Sequence, residues 1–246
     1  MTDNSANNKR IAINTILLYI RMLFTMVISL YTSRVILQVL GADDFGIYNV
    51  VGGVVVLFSF LTNAMTSSTQ RFLNYNLGLK NESKVSHIFN VSILTHFTIF
   101  LLVLLLSETV GLWFVMTQLN IPVGRETATM WVYQMSVVTT LIGIMVIPYR
   151  ASIIAAERMS IFAYVSILEV ALKLVVVLVL SYMSFDNLVM YSILLTLVAL
   201  LNFFIYQIEC RRKLSFTKYH FVWDKSQYKE MMSFSSWYLF GGMAMV

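Results

Sequence analysis

The sequence predicts an all-α polytopic membrane protein, and three observations carry that prediction. Of 246 residues, 59% are hydrophobic and 12% charged, with a mean hydropathy of +0.78; a soluble domain usually carries about a quarter charged residues. Apolar runs recur at lengths that match a bilayer's hydrocarbon core. Lys and Arg concentrate in alternate polar segments, as they do between cytoplasmic and outer loops. The net charge of +5 therefore reads as loop charge, and no nucleic-acid partner is expected. A single cysteine, Cys210, excludes an internal disulfide and a cysteine metal cluster.

Six spans are drawn at 11–33, 45–65, 87–107, 130–148, 161–182 and 187–208. The opening MTDNSANNKR is too polar for a secretory signal. The run after it is too long for a signal core and lacks a small-residue cleavage site, so it is read as a retained first helix. A polar hinge, Gly41-Ala42-Asp43-Asp44, separates it from the second run. Gly41 lets the chain turn, and Asp44 is placed to cap the new helix. From Phe45 to Met65 there is no charge, a length of roughly 30 Å as a helix. Ser59, Asn63, Thr66 and Gln70 share one face of it, and such a stripe should face protein or water rather than lipid. Pro148 is expected to close the fourth span. Gly52-Gly53 reads as close helix packing, with a hinge as the other reading. A seventh apolar run starts near Phe234 and at Val246 is too short to cross a bilayer. The chain is therefore expected to be a piece of a longer protein.

The cations set the topology. Lys9, Arg10, Arg71, Lys80, Lys84, Arg150, Arg158 and the six between Arg211 and Lys229 fall on one side, against Arg34 and Arg125 on the other. That places the N-terminus and the basic loops in the cytoplasm. The longest polar segment, 209–233, is basic and aromatic. It reads either as an amphipathic segment lying on anionic lipid or as a cytoplasmic loop obeying the charge rule.

No catalytic signature appears: no phosphate-binding glycine loop, no HExxH, no nucleophile elbow. His87, His96 and His220 have no metal-ligand spacing, and His96 reads as a satisfied polar group before a proton carrier. The chain is expected not to be an enzyme and to need no cofactor beyond, if it transports, a coupling cation (H+ or Na+).

Charges inside the membrane are the informative residues, since each costs roughly 2.5–3.5 kcal/mol at a helix centre and so faces an interior. Arg21 lies mid-way along the first span, with Asn14, Thr25 and Thr32 on its face. It either lines a cavity or pairs with a neighbouring helix. Glu169 and Lys173, with Ser166 on the same face, form an i,i+4 pair in the favourable order. They either neutralise each other or face a cavity, where Lys173 would meet phosphate and Glu169 a coupling ion. The candidate cavity set is Arg21, Thr25, Ser59, Asn63, Glu169 and Lys173. Arg34, Gln70 and Arg71 are candidates for an interface anchor or gate.

Several of these stretches carry a resemblance. Arg34, Leu40-Gly41 and Asp44-Phe45-Gly46 with the uncharged helix after them resemble the first helix–loop–helix of the polysaccharide flippases, in the multidrug/oligosaccharidyl-lipid/polysaccharide exporter superfamily. IPYRASIIAAERMSIFAYVSILEVALKL is similar to the segment joining the fourth and fifth helices in the O-antigen and capsule branch, and SFSSWYLFGGMA to the start of the seventh.

The resemblance implies a MATE-like two-lobe transporter. Residues 1–208 would be its N-terminal six-helix transmembrane lobe, 209–233 a basic cytoplasmic linker, and 234–246 the start of a seventh helix. It also implies alternating-access export of undecaprenyl-diphosphate-linked oligosaccharide repeat units across a bacterial inner membrane. Its partners would be membrane lipids, the C-terminal lobe and a polysaccharide polymerase complex. Arg21 and Lys173 would offset the diphosphate, and Thr25, Ser59, Asn63 and Gln70 would meet sugar hydroxyls. Two other readings stand beside it: a cation-coupled multidrug exporter using Glu169, and a non-transporting scaffold of a polysaccharide assembly complex.

Overall fold

The structure, a computed structural model, describes residues 2–56 and 59–243, with side chains described over 12–55 and 65–237. The described residues are helical throughout, joined by short turns, with no strand among them. The elements are α1 (Thr2–Val56), α2 (Ser59–Gly78), α3 (Glu82–Leu106), α4 (Leu112–Gln118), α5 (Glu126–Ala155), α6 (Met159–Leu180), α7 (Asn187–Lys213) and α8 (Lys225–Met243). Five helical stretches are long and apolar enough to cross a membrane: Ala12–Val55, Glu82–Gln118, Glu126–Ala155, Met159–Leu180 and Asn187–Lys213.

The first stretch has 44 residues. Straight, it would run about 66 Å, twice the thickness of a hydrocarbon core. It bends at Gly41, where φ is 77° and ψ 172°, backbone angles that cost a side chain dearly and glycine little. The hinge expected at 41–44 is therefore a single-residue bend. Asp44 does not cap a new helix: the backbone is already helical there, and its carboxylate turns to Arg125 instead.

The second stretch, Glu82–Gln118, is 37 residues long, well beyond 87–107. A π-helical turn, Ser107–Gly111, joins α3 to α4. The Tyr133 hydroxyl donates to the Ser107 carbonyl across this turn. Gly111 is required beside it, because a methyl there would overlap that hydroxyl.

Pro148 does not close the fourth span. Helix α5 runs on to Ala155 with Pro148 buried inside it. A proline is tolerated within a membrane helix where neighbouring helices hold the freed backbone, and α5 is packed against α2, α3, α6 and α7. At the far end, α7 continues through Arg211-Arg212-Lys213, a 3-10 turn follows at Ser215–Thr217, and α8 begins at Lys225. The segment 209–233 is thus divided among two helices and a short strap. The seventh helical run starts at Lys225 rather than near Phe234.

Two apolar clusters hold the bundle together. One unites Leu40 and Val51 of α1, Val132 and Ile144 of α5, Val177 and Leu180 of α6, and Leu188 and Val198 of α7. The other unites Leu73 of α2, Phe89 of α3, Val146 and Ile153 of α5, Ile161 and Val165 of α6, and Tyr206 and Cys210 of α7. On α6 and α7 a gap separates them, 166–175 and 199–205, and a polar layer occupies it.

Candidate functional site

The polar layer surrounds a half-open cavity of about 410 Å³. Ser29, Thr32, Ser33 and Tyr48 line it from α1, Thr139, Gly143 and Arg150 from α5, Glu169 and Lys173 from α6, and Tyr191 and Asn202 from α7. On its wall the Lys173 ammonium donates to Glu169 Oε1 at 2.6 Å. Asn202 Nδ2 donates to the other carboxylate oxygen at 2.8 Å. Both oxygens of Glu169 are therefore engaged, one by its own helix and one by α7.

The hydroxyl lining follows from helix periodicity. Thr32 and Ser33 each donate to the carbonyl four residues back, at 2.7 and 2.9 Å. This satisfies their protons and leaves their oxygens as acceptors. Tyr48 and Tyr191 meet edge to face with centroids 4.9 Å apart. A smaller pocket of about 140 Å³, lined by Gly52, Ser136, Thr140 and Ser192, shares Tyr48, Thr139 and Leu195 with this cavity.

The expected site residues divide. Glu169 and Lys173 line the cavity as a pair. Arg21 is half-buried and lies over the Phe162 ring at 4.6 Å, its Nε buried without a hydrogen bond. It is not among the lining residues of the cavity. Thr25 donates to Met22 at 3.0 Å on its own helix. The side chains of Ser59 and Asn63 lie outside the described residues. Arg34 is exposed. Gln70 is half-buried in α2. Arg71 stacks on the Phe234 ring at 4.3 Å and lines a separate groove between α2 and α8. His96 is fully buried, its Nδ1 against the Ser92 carbonyl at 2.7 Å.

Sequence reasoning missed Arg150, Asn202, Tyr48 and Tyr191. An amide inside the sixth span was a readable signal for Asn202. Arg150 was hidden by the assumption that Pro148 ends its helix.

Beyond the cavity, each end of the bundle is tied by charge. At one end the Arg125 guanidinium binds Asp44 through Nε at 2.9 Å and through a second, bidentate contact. It binds Asp186 as well. Asp186 also caps α7, accepting from Leu188 and Val189 at 3.0 and 3.2 Å. Burial alone would raise the Asp186 carboxyl; the Arg125 hydrogen bond and the two amides outweigh it and hold the group below the usual carboxylate range. At the other end Asp224 caps α8 through Ser226 and Gln227 and meets His87 Nε2 at 2.9 Å. Those contacts, the Gln227 amide first, hold its carboxyl low.

The arrangement defines a class, a helical protein with several membrane-length apolar helices around a polar cavity. No family model, curated protein or solved structure matches the chain.

Proposed function

We propose that this chain forms the N-terminal lobe of an exporter that moves undecaprenyl-diphosphate-linked oligosaccharides from the cytoplasmic to the outer leaflet by alternating access. The observation that carries the reading is the cavity between the two apolar clusters. It offers two cations, Lys173 and Arg150, to a diphosphate, and Asn202, Thr139, Thr32 and two tyrosines to sugar hydroxyls and faces. A polar layer at that depth is costly to keep unless it serves a polar cargo. The polyprenyl tail would remain in lipid while the head group crosses. Glu169 is the carboxylate available to a coupling proton or Na+, and it would act by releasing Lys173.

A site for cationic drugs is less well supported, because Glu169 is already bonded by both Lys173 and Asn202. The test uses cells lacking the gene. Complete lipid-linked repeat units should accumulate on the cytoplasmic leaflet, and the intact gene should reverse this. Lys173→Ala and Arg150→Ala together should abolish the rescue. Unaltered lipid-linked sugars with changed resistance to cationic dyes would replace this reading with drug export.

A further inference from the structure

The basic end of the bundle holds a further pocket, which shares no lining residue with the cavity. It encloses about 440 Å³ where three turns meet: Leu77 to Val85 between α2 and α3, Ala156 and Arg158 between α5 and α6, and Lys213 to Phe216 after α7. We propose that this pocket binds the phosphate head group of an anionic phospholipid in the leaflet at that end.

Charge is the first argument. Lys80, Arg158 and Lys213 converge on the pocket from three different turns, against Glu82 on its rim. Lys213 is shared with Glu209 at 2.8 Å. Lys80 and Arg158 have no carboxylate within ion-pair distance among the described residues. Two cations without an ion-pair partner among the described residues, facing one concavity, suit an anion, and basic pockets between membrane helices at this surface suit phospholipid head groups.

Shape is the second. Leu77, Val85, Leu214 and Phe216 give the same pocket apolar walls, which a glycerol backbone and acyl chain would cover and a free phosphate would leave wet.

Rigidity is the third. Lys80 sits at φ 53°, its amide bonded to Leu77 at 3.0 Å. Asn81 caps α3 through the Lys84 amide at 3.1 Å. The Arg158 amide closes the end of α5 on Ile153 at 3.0 Å. The strap after α7 is fastened to α3 by Asn90, which accepts from the His220 amide at 2.7 Å. The pocket is therefore built before any ligand arrives, which lowers the ordering cost of binding.

The test uses the full chain purified in neutral detergent, titrated with phosphatidylglycerol or phosphatidylcholine and read by native mass spectrometry and by melting temperature. Phosphatidylglycerol should bind and raise the melting temperature, and phosphatidylcholine should do neither. Lys80→Gln with Arg158→Gln should weaken phosphatidylglycerol binding about tenfold or more, with helical content unchanged by circular dichroism. Arg158→Lys alone should retain most of the binding. Lys84→Gln with Lys218→Gln, at the same end but outside the lining, should change it less than about twofold. Equal binding of the two lipids, an unaffected pocket variant, or an equal loss in the outside variant would overturn the proposal. Displacement of the lipid by millimolar inorganic phosphate would overturn the lipid as the source of the anion.

Discussion

Glu169 and Lys173 form a pair whose members depend on each other at membrane depth. Removing one leaves a charge with no partner, which costs more than removing both. Glu169→Leu should therefore lower stability by about 1–2 kcal/mol, allowing for the partial exposure of both side chains. The double change to leucine should recover most of that loss. Melting temperatures in one detergent across the cycle would check this, and an additive double variant would refute the coupling. The pair was legible in the sequence because i,i+4 spacing alone brings it together. Asn202, which closes the other side of the carboxylate at 2.8 Å, was not, because it arrives from α7 through tertiary packing. Arg21 was legible only as a membrane-depth charge. Its stacking on Phe162 depends on how α1 lies along α6, which no local pattern in either helix states.

Elements are set by their ends and interruptions. The π-helical turn at Ser107–Gly111 lets the Tyr133 hydroxyl reach the Ser107 carbonyl, and Gly111 leaves room for it. Gly111→Ala should cost about 1–3 kcal/mol by overpacking, and Tyr133→Phe in that background should restore part of it; no recovery would place the strain elsewhere. Arg125 is the corresponding device at the starts of α5 and α7, which it ties to α1 just past its bend. Arg125→Ala should cost about 2 kcal/mol, since it frees two carboxylates from charged hydrogen bonds. The pH dependence follows from the lowered Asp186 carboxyl. A carboxyl with a lower pKa folded than unfolded contributes stability above the unfolded value, about 4. That contribution is lost as pH falls through the folded value. Wild type should lose melting temperature from about pH 4 downward, and Arg125→Ala should lose less over the same interval. Most helical runs were readable from hydropathy, but their limits were not. Proline and the Asp43-Asp44 hinge were read by soluble-protein rules, whereas packing carries α5 through Pro148 and Arg125 draws Asp44 away from capping.

At the scale of the whole molecule, cation placement and topology give the same division into two ends. The turns near Asp44, Arg125 and Asp186 meet around one guanidinium, while Lys80, Arg158 and Lys213 meet around one pocket. The cations of both groupings are among those counted in the Lys and Arg alternation, and the fold brings each set together at its own end. On the reading proposed above, the positive-inside rule would put the Lys80 end in the cytoplasm. Labelling decides this directly. The native Cys210 is fully buried and should stay silent to a membrane-impermeant maleimide. Val123 and Tyr182 are 98% and 92% exposed, in the two loops that carry or adjoin the Arg125 cluster. Cysteines placed there should label in intact cells. Cysteines replacing Leu79 and Trp223, exposed at the opposite end, should label only after the membrane is opened. The reverse result would invert the protein and put the phospholipid pocket in the outer leaflet. Labelling of Val123 and Tyr182 from different sides would break the Arg125 cluster itself, because one side chain cannot join loops across a bilayer.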